Sequence, residues 1–237
     1  MLKDNGVYSR VAKDQAKRGK LPITPNSMLI RALHHKNLVP APNSNNKMLD
    51  VGCFDGGHMI YFDKYGYMVS GVDVDAEEIR LSDNNVRREG IKPLWLKVMK
   101  DEVLEFPDDE FDLVLCWKSI YHTGSKERFI NLLREMIRVL KIGNPIIIST
   151  LDNESVHIRD SEKIGENTYK YLMPRRSDGS YVIYYHIDDI NEMINILHNE
   201  GLGNIEIGSS SGCLLHKPDT DTTLLNRGLR IFYGEKV

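Results

Sequence analysis

Met48-Leu49-Asp50-Val51-Gly52-Cys53-Phe54-Asp55-Gly56-Gly57-His58 is the stretch that decides the fold. An apolar run leads to a strand end, and three glycines then let the backbone turn sharply and come close to a ligand. Twenty-one residues after Gly52, Asp73 closes the apolar run Tyr67-Met68-Val69-Ser70-Gly71-Val72. A carboxylate at the tip of the neighbouring strand can accept hydrogen bonds from both hydroxyls of a ribose. The plainer reading is a tight strand-to-helix turn with Asp73 as a surface residue. The spacing of turn and carboxylate favours an adenosine site instead. A dinucleotide site would show Gly-x-Gly-x-x-Gly, whereas this turn reads Gly-x-x-x-Gly-Gly, so nicotinamide chemistry is the weaker choice.

Outward from the turn, strands and helices alternate. Lys47–Val51 is an apolar strand, and Ala76–Glu89 reads as a helix that starts at Asp75 and ends at Gly90. Leu94–Met99 and Phe111–Cys116 are predicted strands separated by an acidic turn. Residues 126–141 form the strongest predicted helix, with Phe129, Leu133, Met136, Ile137 and Leu140 on one face. Pro145–Ser149 supplies another strand, Asp188–Glu200 another helix, and Ile205–Ile207 and Leu229–Tyr233 the last two strands. The pattern predicts an α/β fold with a mainly parallel sheet covered by helices on both faces. Residues 1–46 read as an N-terminal helical or cap segment and 47–237 as the main domain. Within it, 151–186 interrupts the alternation as a variable insertion.

Leu49-Asp50-Val51-Gly52-Cys53-Phe54-Asp55-Gly56 resembles the first motif of class I methyltransferases, which use S-adenosylmethionine (SAM) and release S-adenosylhomocysteine (SAH). Gly71-Val72-Asp73-Val74-Asp75 resembles their second motif. Phe106–Val114, Tyr121-His122, Glu135–Gly143 and Ile146–Ile148 follow in the family's order. The resemblance runs continuously over about residues 47–150 and implies a Rossmann-like, seven-stranded sheet whose last strand is antiparallel. It implies that Gly52 and Gly56, with Cys53 and Phe54 between them, pass close to the amino-acid part of SAM, with Asp50 beneath. Asp73, followed by Val74, would take the ribose. Asp101 and Glu102 compete for the adenine amino group, and Cys116 and Trp117 would line the cofactor near the methyl group. Phe54 departs from the family, which usually has glycine there; its side chain must point away from SAM, or the loop must take a variant path.

Methyl transfer relies on positioning, and a hydroxyl or amine acceptor benefits from a base. His122 is the first candidate base, weighed against a role in orienting its loop. Tyr121 is expected to wall the acceptor pocket. Tyr8 and the insertion's Arg175 and Arg176 are further substrate candidates, the arginines suiting a phosphate or carboxylate. The sequence predicts transfer to O or N of a small molecule, anionic or sugar-linked, such as a phosphorylated or nucleotide-linked acceptor. RNA or protein methylation and an inactive scaffold are the alternatives.

The 237-residue chain carries a formal net charge of -3, so no basic field advertises nucleic acid. Its three cysteines, Cys53, Cys116 and Cys213, have no zinc spacing, and no histidine pair suggests a metal. No stretch is long and apolar enough for a signal peptide or a membrane span, and a cytoplasmic protein is the expectation.

Overall fold

Residues 25–35, 45–173, 179–209 and 228–237 are described by a computed structural model of the chain. Apolar runs that alternate with amphipathic stretches become strands sandwiched between helices. The strands are β1 (Lys47–Val51), β2 (Met68–Asp73), β3 (Trp95–Val98), β4 (Leu113–Cys116), β5 (Pro145–Leu151), β9 (Leu202–Ser209) and β10 (Leu229–Lys236). They form one seven-stranded sheet in the order β3-β2-β1-β4-β5-β10-β9. The first five are parallel, and β10 runs antiparallel between β5 and β9. Because strand order reverses between β1 and β4, a crevice opens at their carboxyl ends, where such sheets bind ligands.

Two apolar layers cover the faces. On one, α1 (Ser27–His35) and α2 (Gly57–Lys64) contribute Met28, Leu29, Leu33, Met59 and Phe62. On the other, α4 (Lys126–Val139) and α6 (Ile190–Asn199) bury Phe129, Leu133, Met136, Met193 and Leu197. The expected stripe of α4 is therefore the core face, and Ser125 caps its start by accepting from the Arg128 amide. Helix α3 (Ala76–Arg88) begins at Asp75, whose side chain accepts from the Glu77 amide at 2.7 Å; acids fill its first turn and arginines its last, as the helix dipole favours.

The described residues of 151–186 hold more regular structure than their polar composition predicts. A short α5 (Val156–Arg159) precedes a three-stranded antiparallel sheet of β6 (Glu162–Gly165), β7 (Thr168–Leu172) and β8 (Tyr181–Tyr185). Tyr169 and Tyr171 alternate with Lys170 along β7, so one face is buried and the other wet. This small sheet lies against the 3-10 turn Ile120–Thr123 that follows β4.

Arg138 ties the β3–β4 connection to α4. Its guanidinium donates to both oxygens of Glu135, to Asp108 and to the carbonyls of Leu104 and Phe106 at 2.7–2.9 Å. Glu135 also accepts from the Leu104 amide at 2.8 Å. Arg138→Met is expected to lower the unfolding free energy by about 1–3 kcal/mol, since it strips charged hydrogen bonds from partly buried partners. Urea denaturation measures this, and an unchanged midpoint would contradict the clamp.

Candidate cofactor and acceptor site

The turn after β1 is pinned to the end of β2. The Gly52 and Cys53 amides both donate to the Val72 carbonyl, at 2.8 and 3.0 Å. Gly52 has φ 80, and a Cβ there would overlap the Ser119 side chain, so only glycine fits. Phe54 has φ 48, the left-handed conformation that glycine adopts freely. Phe54 thus sits in a conformation that glycine would adopt without strain, at the cost of local strain. The Phe54 amide donates to one Asp73 oxygen at 3.1 Å and the Asp75 amide to the other at 3.2 Å.

Three buried acids surround this turn. Asp50 is fully buried in β1, and neither carboxylate oxygen has a hydrogen-bond partner. His58, in the first turn of α2, places Nδ1 3.3 Å from Oδ2 without hydrogen-bond alignment. A buried carboxylate without hydrogen bonds is costly, and a cationic ligand group on the loop above it would offset that cost. Asp73 hydrogen-bonds the buried Glu78 side chain of α3, and burial pushes its carboxyl above the usual range. A turn that attracts a cation beside a carboxylate aimed at the strand tips fits an amino-acid-bearing adenosine ligand.

Residues 48–143 match a family model described as a methyltransferase domain. This stretch is a methyltransferase domain. The chain is similar to ajmaline N-methyltransferase of Rauvolfia serpentina, 35% identical over 103 residues, covering 43% of this chain and 34% of that protein. It also resembles the ubiquinone biosynthesis O-methyltransferase of Caulobacter vibrioides, 24% identical over 139 residues, 58% of this chain and 54% of the relative. The matches thus span from about a third to about half the length of these relatives. A SAM-dependent methyltransferase structure from Methanosarcina mazei superposes with TM-score 0.65 at 18% identity, over 90% of this chain and 99% of that one, a likeness of fold.

Within the methyltransferase domain, the segment past β4 forms the second half of the crevice. Cys116 and Cys53 are buried, and burial raises both thiols, Cys116 to about 12, so neither is a thiolate at neutral pH. Trp117 is buried with its indole Nε1 lacking a hydrogen-bond partner. Lys118 follows in a left-handed conformation, φ 58, its amide donating to Ser149 Oγ at 2.7 Å. Burial pushes its ammonium pKa down.

His122 and Tyr121 occupy the turn beyond. The His122 ring hydrogen-bonds the Lys118 backbone, and burial, with His157 adding, drives its pKa down to about 3. Tyr184 of β8 gathers the rings here: His122, Tyr121, His157 and Tyr171 lie 5.2, 5.6, 5.7 and 6.2 Å away, centroid to centroid. Burial, and then the Lys118 charge, lower the His157 pKa as well.

The competition between Asp101 and Glu102 takes a physical form. Both have positive φ, but Glu102 is buried in an ion pair with Arg128 while Asp101 stays exposed. Val74 is 59% exposed directly after Asp73, an apolar surface at the end of β2. Tyr8, Arg175 and Arg176 lie outside the described residues. Sequence reasoning did not assign roles to His58, Glu78, Lys118 or Ser119. His58, directly after the glycines, carried the only local signal; the others act through partners distant in sequence. Among the described residues no group of three His, Cys, Asp or Glu is placed to hold a metal, and no helix is long and apolar enough to cross a membrane.

Two glycine-type positions should respond oppositely. Gly52→Ala is expected to cost more than about 1 kcal/mol from strain and the Ser119 overlap and to weaken SAH binding. Phe54→Gly relieves a left-handed residue and should keep SAH affinity within about threefold, under about 1 kcal/mol. Calorimetry and thermal melting on both variants test the pair, and a Phe54→Gly protein that loses SAH would refute the shared backbone path.

The histidines generate a pH prediction. His122 and His186 have native pKa values lowered from 6.5 to about 3 and about 4, and burial is the leading cause in each. The unfolded chain therefore takes up protons first, and stability held above pH 6.5 is lost as pH falls toward 4 and then 3. Urea midpoints at about pH 7.5 and about pH 5 should differ, less so in His122→Asn; equal acid sensitivity would contradict a neutral native His122.

Proposed function

We propose that the chain is a working methyltransferase that transfers the methyl group of SAM to an O or N atom of a small molecule. The observation carrying this is the glycine turn locked onto Asp73, with buried Asp50 beneath it, at the point where strand order reverses. SAM supplies an electrophilic methyl group on a sulfonium. Asp73 would hold the ribose hydroxyls, and the exposed Val74 would support the adenine. Of the two acids after β3, the unclamped Asp101 is better suited to the adenine amino group. Gly52, Cys53, Phe54 and Gly56 would pass around the amino-acid portion, whose ammonium the Asp50 field favours. Cys116 and Trp117 would border the reacting methyl.

Residues 151–186 would present the acceptor from the β7–β8 side, with the segment 1–46 as a cap over the domain and Tyr121 as a wall. Tyr8, Arg175 and Arg176 remain proposed acceptor contacts. We assign His122 an orienting role: an imidazole with pKa about 3, hydrogen-bonded to the Lys118 backbone, accepts a proton poorly but fixes the turn. RNA or protein acceptors have less support, since the formal net charge is -3. The left-handed backbone of Phe54, open to glycine as well, supports an active enzyme over the inactive-scaffold alternative.

Titration with SAH by calorimetry tests the proposal. Asp73→Ala should weaken binding by about 100-fold, the loss of roughly two charge-assisted hydrogen bonds. Equal binding by both proteins would remove Asp73 from the site. Absence of binding to the wild type would favour a scaffold.

A further inference from the structure

Asp50 and His58 meet beneath the glycine turn. Asp50 lies in β1 with its side chain fully buried and neither oxygen hydrogen-bonded. His58 is the second residue of α2, its Nδ1 is 3.3 Å from Asp50 Oδ2, and its side chain is 16% exposed. The pair therefore joins a carboxylate cut off from water to an imidazole that still reaches it. Resting on the cofactor reading above, we propose that His58 is the exchangeable counter-cation of Asp50. In the ligand-free protein it carries the charge that balances Asp50, and it gives up a proton when the ammonium of the cofactor's amino-acid part arrives. His58 thereby makes binding selective for ligands that bear this ammonium.

A buried carboxylate keeps its charge only against a cation or hydrogen bonds. Asp50 lacks the hydrogen bonds, so the contact with His58 is the compensation that the fold supplies. That contact has no hydrogen-bond alignment, and its exchange sacrifices no directed bond. Histidine changes charge between pH 5 and 8, so it can be a cation before a ligand binds and neutral afterwards. A lysine or arginine at position 58 could not step aside in this way.

The other groups around the pair are acids and thiols. Burial raises the Asp55 carboxyl in the turn; the Gly57 amide and His58 oppose this, and Asp50 adds to it. Asp55 Oδ1 accepts from that amide at 3.1 Å, at the start of α2. Cys53 of the turn and Cys116 of β4 feel Asp50 as well, but burial keeps both as neutral thiols. Asp73 and Glu78 complete the acids around the turn. An ammonium and an imidazolium beside the one carboxylate repel each other, and Asp50 balances one of them. The imidazolium then loses an N–H proton to solvent and keeps the electron pair, and no other bond changes. Binding that releases a proton strengthens as pH rises, by up to about tenfold per pH unit for one whole proton.

Calorimetry of the full chain in buffers of different ionisation enthalpy counts the protons released. At about pH 6, SAH should release roughly half a proton or more, and its affinity should rise about threefold or more by about pH 7.5. Methylthioadenosine keeps the ribose, adenine and sulfur but lacks the amino-acid part, and it should release none. His58→Asn should bind SAH without proton release, with affinity flat within about twofold over the same range, and should bind methylthioadenosine as the wild type does. No release from the wild type with SAH, equal release with both ligands, or release that survives in His58→Asn would overturn the proposal. The comparison of the two ligands on the wild type decides it even where the variant is unstable. Failure of the wild type to bind either ligand would instead overturn the cofactor reading on which it rests.

Discussion

The pinning of the first glycine turn to the end of β2 is the constraint on which the rest depends. Two amides share the Val72 carbonyl, and Asp73 takes the Phe54 and Asp75 amides on its two oxygens. These bonds fix where β1 stops, where α2 and α3 begin, and which way the Asp73 carboxylate faces. Because β1 and β2 are parallel and in register from Lys47–Met68 to Val51–Val72, the turn cannot slide without breaking the sheet. The glycine at 52 follows from this, since the path leaves room for Ser119 and none for a side chain.

Charge in the crevice is divided along the same line. Buried carboxylates sit under the turn, where a cationic ligand group would compensate them, and past β4 the Trp117 indole N–H is buried without an acceptor. Burial amplifies both halves, because neither set is screened by bulk water. Burial lowers the pKa of the imidazoles of His122 and His157 in the same way. Arg128 and Arg138 fix the loops around this division from α4, one through Glu102 and the other through Glu135, Asp108 and two carbonyls.

The parts legible in the sequence are those whose chemistry is local. The strand–glycine–helix turn, Asp73 and the stripe of α4 each need only near neighbours, and the order of phrases from 47 to 150 carried the domain family and its sheet. The β7–β8 sheet was not legible, because lysines and threonines between tyrosines look polar until period-two alternation is set against a partner strand. The burial of Glu102 beside an exposed Asp101 turns on Arg128, far along the chain in another element. Glu78 and Lys118 are ordinary charged residues in sequence, and their significance comes from burial created by the folded sheet. Phe54 read as a departure, yet its backbone adopts the glycine-like conformation and absorbs the difference as strain.

The most direct test of the account is a crystal structure of the chain grown with SAH. The account predicts the ribose hydroxyls within about 2.5–3.0 Å of the Asp73 carboxylate, the amino-acid tail passing over Gly52 and the sulfur directed toward Trp117. A ligand bound elsewhere, or a turn that must abandon the left-handed path at Phe54 to admit it, would contradict the account at its foundation.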